Sequence, residues 1–402
     1  MKISRFAASV GLSQTGAIDE LVRELRGQGR EVFNFGVGQP DFPTPAEICE
    51  AGITAIREQK TRYTSPMGTL ELREAVAAKL HEENHLTCRP SEILISSGAK
   101  HALHNMLAAT VSPGEEVLLP TPAWVSYPSM IRLLGAEPRF VPSSVEEGFR
   151  VSPDALRKAV TPRTVGLVLN SPCNPTGAAY SESDLRKLAG VIDEFGLWVI
   201  TDEIYERILF DGRRHASLAT VAPALRDRIA VVNGVSKAFS MTGWRIGYAA
   251  GPEDWIRAAS AIQSHQSGNP CSISQEAARF ALRSAGPSVE AMRVSFEHRR
   301  DLVMRLLDGM AGCELFRPEG TFYVFPRIAS YLGTRPTGGS ISTDVELVSR
   351  LLEASGVATV PGTAFTAPGH LRISFAAPEE ILDRGLRRLR EALERLGPIG
   401  SP

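Results

Sequence analysis

One lysine, Lys237, stands where the sequence could support covalent chemistry. It lies in residues 231–248, which read VVNGVSKAFSMTGWRIGY. The apolar, β-branched start of this stretch predicts a buried strand, and Gly234 and Gly243 allow the turns of a loop after it. A desolvated lysine near another cation loses its proton more easily, and Arg245 follows eight residues later. The pattern therefore indicates an amine able to form Schiff bases, although an isolated lysine is more often a surface residue.

Polar side chains with defined chemistry follow two other predicted strands. Asp202 and Tyr205 come directly after an apolar run. Asn174 lies in the loop NSPCNPTG at 170–177, which its two prolines make rigid. A carboxylate at a strand end can keep a pyridine nitrogen protonated, and a protonated ring is the electron sink that carbanion chemistry needs. The alternative for a lone acidic residue at this place is a helix cap.

Two further sites suit anions. The turn SSGAK at 96–100 lies between a predicted strand and a predicted helix, where free backbone N–H groups and the helix dipole attract negative charge. Arg372 lies inside an apolar strand, 371–375, where an unpaired charge is costly. We therefore expect a bidentate partner for Arg372, either a substrate carboxylate or a structural salt bridge.

The elements that position these residues alternate between strand and helix. Continuous apolar strands separated by helices from residue 92 onward predict a mostly parallel sheet with both faces covered. Such sheets bind ligands at the carboxyl ends of their strands. After about residue 286, a long charged helix and short strands predict a separate α+β unit. The fold class is therefore α/β.

Composition excludes several function classes. The chain has 402 residues, a net charge of −1 and 22% charged residues, so no basic excess favours a nucleic-acid or anionic-membrane partner. No apolar run is long enough for a membrane span. The five scattered cysteines favour a reducing compartment, and we expect a cytoplasmic protein. The string HEENH at 81–85 matches a zinc motif, but its flanks are polar, so we predict no metal site.

The lysine stretch, with Ser236-Lys237 followed by Gly243-Trp-Arg-Ile-Gly247, resembles class I aminotransferases, which are pyridoxal phosphate (PLP) enzymes of fold type I. The resemblance covers nearly the whole chain. It implies a large PLP-binding domain with a mostly parallel seven-stranded sheet at 46–285, a small domain at 286–402, and an N-terminal arm at 1–45 that joins the small domain.

The resemblance also implies roles for individual residues. Lys237, Asp202 and Tyr205 are the predicted catalytic residues. The predicted cofactor contacts are Lys237, Gly98, Ala99, Lys100, Trp124, Asn174, Asp202, Tyr205, Ser236, Arg245 and Tyr63. Tyr63 would reach the phosphate in the neighbouring subunit of a homodimer. The predicted substrate contacts are Gly38, Trp124, Asn174, Arg372, Ser13, Thr15 and Lys100.

The implied reaction is ping-pong transamination between an L-amino acid and a 2-oxo acid, in which Lys237 is both anchor and base. The stretches GTFY at 320–323 and PGTAF at 361–365 resemble the bacterial aspartate/prephenate branch, in which Ser13, Thr15 and Lys100 would bind a distal carboxylate. Three alternatives stay open: a cyclase, lyase or oxidase on the same scaffold, an aminotransferase for aromatic or branched substrates, and a non-enzymatic regulator.

Overall fold

The computed structural model describes residue 3 and the ranges 14–334 and 340–399. Its α-helices are α1 Gln14–Gly27, α2 Ala46–Arg57, α3 Leu70–Asn84, α4 Ala99–Thr110, α5 Ser126–Leu133, α6 Pro153–Ala159, α7 Glu182–Glu194, α8 Leu218–Val221, α9 Glu253–Gln266, α10 Ser272–Ser284, α11 Gly286–Leu307, α12 Asp344–Ser355 and α13 Glu379–Leu396. Its strands are β1 Phe33–Asn34, β2 Ile93–Ser96, β3 Glu116–Thr121, β4 Glu137–Pro142, β5 Thr164–Asn170, β6 Trp198–Asp202, β7 Ile229–Gly234, β8 Gly247–Ala250, β9 Tyr323–Val324, β10 Gly333–Thr334, β11 Ser340–Ile341, β12 Val357–Ala358, β13 Val360–Pro361 and β14 Leu371–Ser374.

A seven-stranded sheet forms the centre of the molecule, in the order β2-β8-β7-β6-β5-β3-β4. The pairs from β7 to β4 are parallel, and β8 runs antiparallel to both β7 and β2. Six strands therefore point in one direction, and their carboxyl ends share one edge. This architecture confirms the predicted α/β fold with a mostly parallel seven-stranded sheet.

The strands are apolar on both faces because helices cover both faces. Along β2, Ile93 and Ile95 belong to the core cluster that contains residues of helices α2, α3, α7 and α10, whereas Leu94 belongs to the cluster that contains residues of α4, α5 and α9. The same alternation separates Val231 from Val232 on β7. Side chains of consecutive strand residues point to opposite faces, so a strand buried on both sides needs an unbroken apolar run.

A second core lies among the C-terminal elements. Helices α11, α12 and α13 pack around the three-stranded antiparallel sheet β13-β14-β9, together with Phe33 and Phe35 from the N-terminal segment. Strand β1 pairs in parallel with β12, so the chain from about residue 33 belongs to this packing unit. The exact division at residues 45 and 285 stays a prediction.

Several helices begin at side chains that bind their free N–H groups. Ser181 accepts from the Asp184 amide and Asp184 returns the contact, which is the reciprocal arrangement of a capping box. Thr69 and Thr343 cap α3 and α12 in the same way with one bond each. At the other end of α12, Gly356 ends the helix in the left-handed conformation.

Only one of the two histidines of the HEENH string lies in helix α3. The helix ends at Asn84, and His85 lies past this end in the left-handed conformation. His81 and His85 are both exposed, and neither joins a group of possible metal ligands in the part of the chain that the structure describes. Within the same ranges, no helix is both long and apolar enough to cross a bilayer.

The contact between α13 and the N-terminal segment makes a prediction about stability. A methyl group on Gly385 would lie 2.6 Å from Phe35 Cζ, so Gly385→Ala should lower the free energy of unfolding by about 1–3 kcal/mol through overpacking. The matched control is Gly190→Ala on α7, where nothing lies within 4 Å of the added carbon. Because alanine favours helix over glycine, that change should add about 0.5–1 kcal/mol. Urea unfolding measures both, and a stabilised Gly385→Ala protein would contradict the packing.

Candidate active site

One cavity of about 340 Å³ opens at the carboxyl edge of the large sheet, where it meets residues of the second core. Strands β2, β3, β5, β6 and β7 each end beside it or lead into a loop that lines it. This volume is within the range of small-molecule sites. The lining residues are Gly36, Gly38, Ala99, Lys100, Leu103, Trp124, Tyr127, Asn170, Asn174, Asp202, Ile204, Tyr205, Ser236, Lys237, Thr242, Arg245, Tyr323 and Arg372.

Asp202 is the buried carboxylate of this cavity. Its Oδ2 accepts a hydrogen bond from the Tyr127 hydroxyl at 2.6 Å, and its Oδ1 accepts from the Ile204 amide at 3.2 Å. Burial and, to a smaller extent, Glu203 raise the pKa of Asp202, whereas the two hydrogen bonds and Lys237 oppose the rise, and the net value is about 6. The carboxyl group is therefore poised between its neutral and ionised forms, and a nearby cation would favour the ionised form.

Lys237 projects its amine into the same cavity. Its Nζ donates to the Gly38 carbonyl oxygen at 2.6 Å. Burial, Arg372 and Arg245 together lower the pKa of Lys237 to about 8, although Asp202 acts in the opposite direction. A pKa near 8, below the ordinary 10.5, leaves a larger fraction of the amine neutral at neutral pH.

Arg372 reaches the cavity from β14. Its Nη2 donates to the Gly36 carbonyl oxygen at 2.6 Å, and its Nη1 donates to Asn174 Oδ1 at 3.2 Å. The guanidinium also lies over the ring of Tyr323, 4.5 Å from its centroid. Although Arg372 is only 3% exposed, its Nη1 and Nη2 atoms face residues that line the cavity. A planar carboxylate suits such a group.

The start of α4 and Arg245 form the anion-binding end of the cavity. Gly98 has a φ of 90°, and a methyl group there would lie 2.4 Å from Arg245 Nη2, so the position suits only glycine. Arg245 itself adopts a left-handed conformation, and its Nη1 donates to the Thr242 carbonyl oxygen at 3.0 Å. The first N–H groups of α4 have no partner within the helix. Backbone donors and a guanidinium therefore meet at one point.

Lys100 and Trp124 form the outer wall. The Lys100 ammonium lies over the Trp124 ring, 4.9 Å from its centroid, and the ring meets Tyr127 edge to face at 5.2 Å. Burial lowers the pKa of Lys100, and Arg245 lowers it further. The wall thus offers a second cation, distinct from Arg372, to a ligand in the cavity.

Eleven of the residues predicted from the sequence line this cavity: Gly38, Ala99, Lys100, Trp124, Asn174, Asp202, Tyr205, Ser236, Lys237, Arg245 and Arg372. Gly98 lies at its edge against Arg245. Tyr63 does not line it and is 98% exposed. Ser13 lies outside the described residues, and only the backbone of Thr15 is described, as part of α1.

Sequence reasoning missed four polar residues that line the cavity: Tyr127, Asn170, Thr242 and Tyr323. Tyr127 binds Asp202, and the Tyr323 hydroxyl lies 2.9 Å from the Tyr205 hydroxyl. Asn170 Nδ2 donates to the Asp202 carbonyl oxygen at 2.9 Å. Tyr127 carries no signal of its own, because nothing in the residues around it, WVSYPSM at 124–130, indicates that its hydroxyl meets Asp202. Asn170 is the first residue of the NSPCNPTG motif, and its place at the end of a predicted strand is a signal that could have identified it.

Comparison with known proteins decides the family. The model for aminotransferase class I and II matches residues 30–389. This chain belongs to the class I and II aminotransferases. The family confirms a PLP-dependent enzyme that transfers an amino group between an amino acid and a 2-oxo acid.

Relatives resemble this aminotransferase over its full length. An aspartate/prephenate aminotransferase of Cereibacter sphaeroides is 43% identical over 96% of this chain and 97% of its own. An aspartate aminotransferase of Geobacillus stearothermophilus is 39% identical over 98% and 99%. The crystal structure of the aspartate aminotransferase from Rhizobium meliloti has a TM-score of 0.94 at 39% identity, covering 98% of this chain and 99% of that one. These likenesses confirm the predicted fold type.

The hydrogen bond from Tyr127 makes a prediction about Asp202. Removing the hydroxyl with Tyr127→Phe should raise the pKa of Asp202 above about 6, because the bond favours the ionised carboxylate. Carbon-13 NMR of aspartate-labelled, cofactor-free protein measures this pKa, and an Asp202→Asn protein assigns the signal. Tyr180→Phe is the control, since that buried hydroxyl accepts from Val151 N instead. An unchanged Asp202 titration in Tyr127→Phe would show that the hydrogen bond has no such effect.

Proposed function

We propose that this aminotransferase acts on an acidic L-amino acid, aspartate or a close analogue, with PLP held by the residues of the cavity. The observation that carries the proposal is that Lys237, Asp202, Arg372 and Lys100 surround one cavity. A reactive amine, a carboxylate and two separate cations are the groups that transamination of a dicarboxylic amino acid requires. The aspartate aminotransferases among the relatives support the same substrate class.

The residues of the cavity fit PLP. Its phosphate suits the first N–H groups of α4, the Arg245 guanidinium and the Ser236 hydroxyl, where the missing side chain of Gly98 leaves space. Asp202 has a pKa of about 6, and a protonated pyridine nitrogen beside it would favour its ionised form. We further propose that Trp124 packs on the ring and that Asn174 and Tyr205 contact its oxygen. When bound, PLP supplies an electron sink for the amino-acid carbanion.

The protein residues then bind the substrate and move one proton. Arg372 pairs with the α-carboxylate near Gly38, and this fixes the Cα–H bond relative to Lys237. The Lys237 amine, neutral in a sizeable fraction because its pKa is about 8, removes the proton from the substrate Cα. The resulting ammonium would then give a proton to a carbon other than Cα, which amino-group transfer requires. The negative charge of Asp202 favours the protonated ring throughout. Lys100 is our proposed partner for the distal carboxylate, together with Ser13 and Thr15.

We also propose a homodimer that shares its sites and works in the cytoplasm. Tyr63 is 98% exposed, and the large apolar side chains Ile53, Ile56 and Leu70 before and after it are also exposed. Apolar groups of this size on one stretch suit burial against a second copy. All five cysteines are free, which agrees with a reducing compartment.

The experiment follows the visible absorbance of the PLP-loaded protein during the two half-reactions. We expect L-aspartate to remove the cofactor band and 2-oxoglutarate to restore it, whereas Lys237→Ala should give neither change. Lys187→Ala, an exposed lysine on α7, is the matched control and should behave like the original protein. Lys100→Gln should raise KM for aspartate about ten-fold or more, but not KM for an uncharged amino acid, because a charged contact is lost.

The outcomes separate the alternatives. A band that ignores aspartate but responds to phenylalanine or leucine would contradict the substrate class and leave the cofactor chemistry intact. A product other than the 2-oxo acid would favour a specialised enzyme. Turnover that stops after one equivalent would favour a regulator, and the absence of any band after adding PLP would contradict the whole proposal.

Shared sites make a separate prediction about mixed subunits. Tyr63→Phe should weaken PLP binding about ten-fold through loss of one charged hydrogen bond, and Lys237→Ala should be inactive. A hybrid dimer of the two has one site with both changes and one with neither. Mixing the variants under subunit exchange at limiting PLP should therefore raise activity above the sum of the separate proteins. Activity that stays at that sum would mean that Tyr63 serves its own chain.

A further inference from the structure

A buried charged cluster lies directly after the residues that we assign to the cofactor. Asp202 and Tyr205 line the cavity, whereas Glu203 and Glu206, each one residue later, do not. Both carboxylates are buried, with 2% and 9% exposure. Two acidic groups without water around them require partners. Those partners come from other parts of the chain.

Glu203 is held by the segment before α8. Its Oε2 lies 2.8 Å from His215 Nε2, and its Oε1 accepts from the Ser217 hydroxyl at 2.7 Å. His215 is also largely buried. Both oxygens of the carboxylate therefore have a partner, and one of these partners can carry a positive charge.

Glu206 is held by helix α3. Its Oε1 contacts the Lys79 ammonium, and its Oε2 accepts from Asn84 Nδ2 at 2.7 Å. Lys79 also donates to Asn84 Oδ1 at 2.7 Å, which closes a ring of three side chains. Lys79 is 3% exposed, so this is a desolvated ion pair. Removing one partner of such a pair leaves an uncompensated buried charge.

The charges of the cluster balance only when His215 is protonated. Burial lowers the pKa of His215, but Glu203 and then Glu206 raise it to a net value above the ordinary one, against Lys79. Burial also raises the pKa of Glu206, yet Lys79 brings it down to about 2. With both counter-ions charged, the four side chains of Glu203, Glu206, Lys79 and His215 are together neutral, and without the His215 proton they carry one negative charge. The more exposed Glu83 also lies 3.8 Å from the Lys79 ammonium. The cleft that reaches Glu206 and His215 is further lined by the charged residues Arg207, Arg213, Glu290 and Arg293.

The cluster is a place where a cation is favoured, and lysine already supplies it. Ligand atoms of Glu203, Glu206 and His215 lie within 4.8 Å of one another, and within the described ranges this is the group that could hold a metal ion. The Lys79 ammonium contacts Glu206 in this group. The positive charge therefore belongs to the protein itself.

We propose that His215 and Lys79 are positioning residues for the transamination: as counter-ions of Glu203 and Glu206, they hold the turn that carries Asp202 and Tyr205 and keep uncompensated negative charge away from Asp202. The proposal rests on the proposed function, in which Asp202 faces the protonated ring. Glu203 is adjacent to Asp202 and disfavours its ionised form, so the compensation of Glu203 contributes to how readily Asp202 stays ionised.

The test compares PLP binding across pH in proteins that differ only in this charge. His215→Asn keeps a hydrogen-bond donor for Glu203 but cannot carry a proton. The affinity for PLP should fall as the pH is lowered, and the pH at which it has fallen by half is the midpoint. We expect this midpoint to rise by about one unit in His215→Asn, because Asp202 protonates more readily beside an uncompensated carboxylate. Adding Glu203→Gln removes that charge and should return the midpoint to the original value. Equilibrium titration by absorbance measures it, and the titration of PLP's own phosphate is common to all variants.

Controls separate electrostatic positioning from general stability. His298→Asn changes an exposed histidine on α11 and should leave the midpoint unmoved. At the optimum pH, KM for the amino acid should stay within two-fold in His215→Asn while kcat falls. A lower melting temperature with an unmoved midpoint, or a midpoint that Glu203→Gln fails to restore, would overturn the proposal.

The second ion pair keeps the proposal testable if His215→Asn does not fold. Lys79→Met should raise the same midpoint, and Lys79→Met with Glu206→Gln should reverse that rise. An unmoved midpoint in the folded Lys79→Met protein would again overturn the proposal. A protein that shows no PLP band in its original form would instead refute the proposed function, before any of these variants is compared.

Discussion

Keeping one lysine amine partly unprotonated at neutral pH is the constraint on which the site depends. Lys237 meets it through burial and through the guanidinium groups of Arg372 and Arg245, which together bring its pKa to about 8. The same cations would be costly in a closed cavity without anions to bind. They therefore serve two purposes, because they lower the pKa of the amine and supply partners for phosphate and carboxylate groups.

The fold brings these groups together from strand ends and from the loops that follow the strands. Asn170 and Asp202 end two neighbouring strands, and Lys237 lies three residues past the end of the next. Arg372 comes from β14, in the second core, and its partner Asn174 comes from the loop after β5. The site thus exists only when the two cores are packed against each other. Elements of both cores are therefore needed to form the site.

Much of the fold follows from local patterns. Apolar β-branched runs such as 165–169 predict strands because only a strand buried on both faces needs them. Strand β8 was not predicted, since Gly247-Tyr-Ala-Ala250 has low β propensity and is a strand because it pairs with β2 and β7. The motifs identified the cavity residues through resemblance, whereas the contacts of Tyr127 depend on which face of α5 meets the sheet.

The charged cluster shows a different limit of sequence reasoning. Glu203 and Glu206 stand in a buried stretch, and this anomaly is visible in the sequence as two acids beside apolar residues. Their partners are not visible in the sequence. Lys79 lies 127 residues before Glu206, and His215 lies 12 residues after Glu203. Only tertiary packing tells which cation meets which carboxylate. A lysine in α3 would otherwise be read as a surface residue.

The most direct test of the central claim locates the lysine that reacts. The PLP-loaded protein is reduced with borohydride, which makes a link between a lysine and the cofactor permanent, and is then digested and examined by peptide mass spectrometry. We predict that the added mass is found on Lys237 alone, at about one equivalent per chain. Added mass on Lys100 or another lysine in place of Lys237, or none on the loaded protein, would contradict the account.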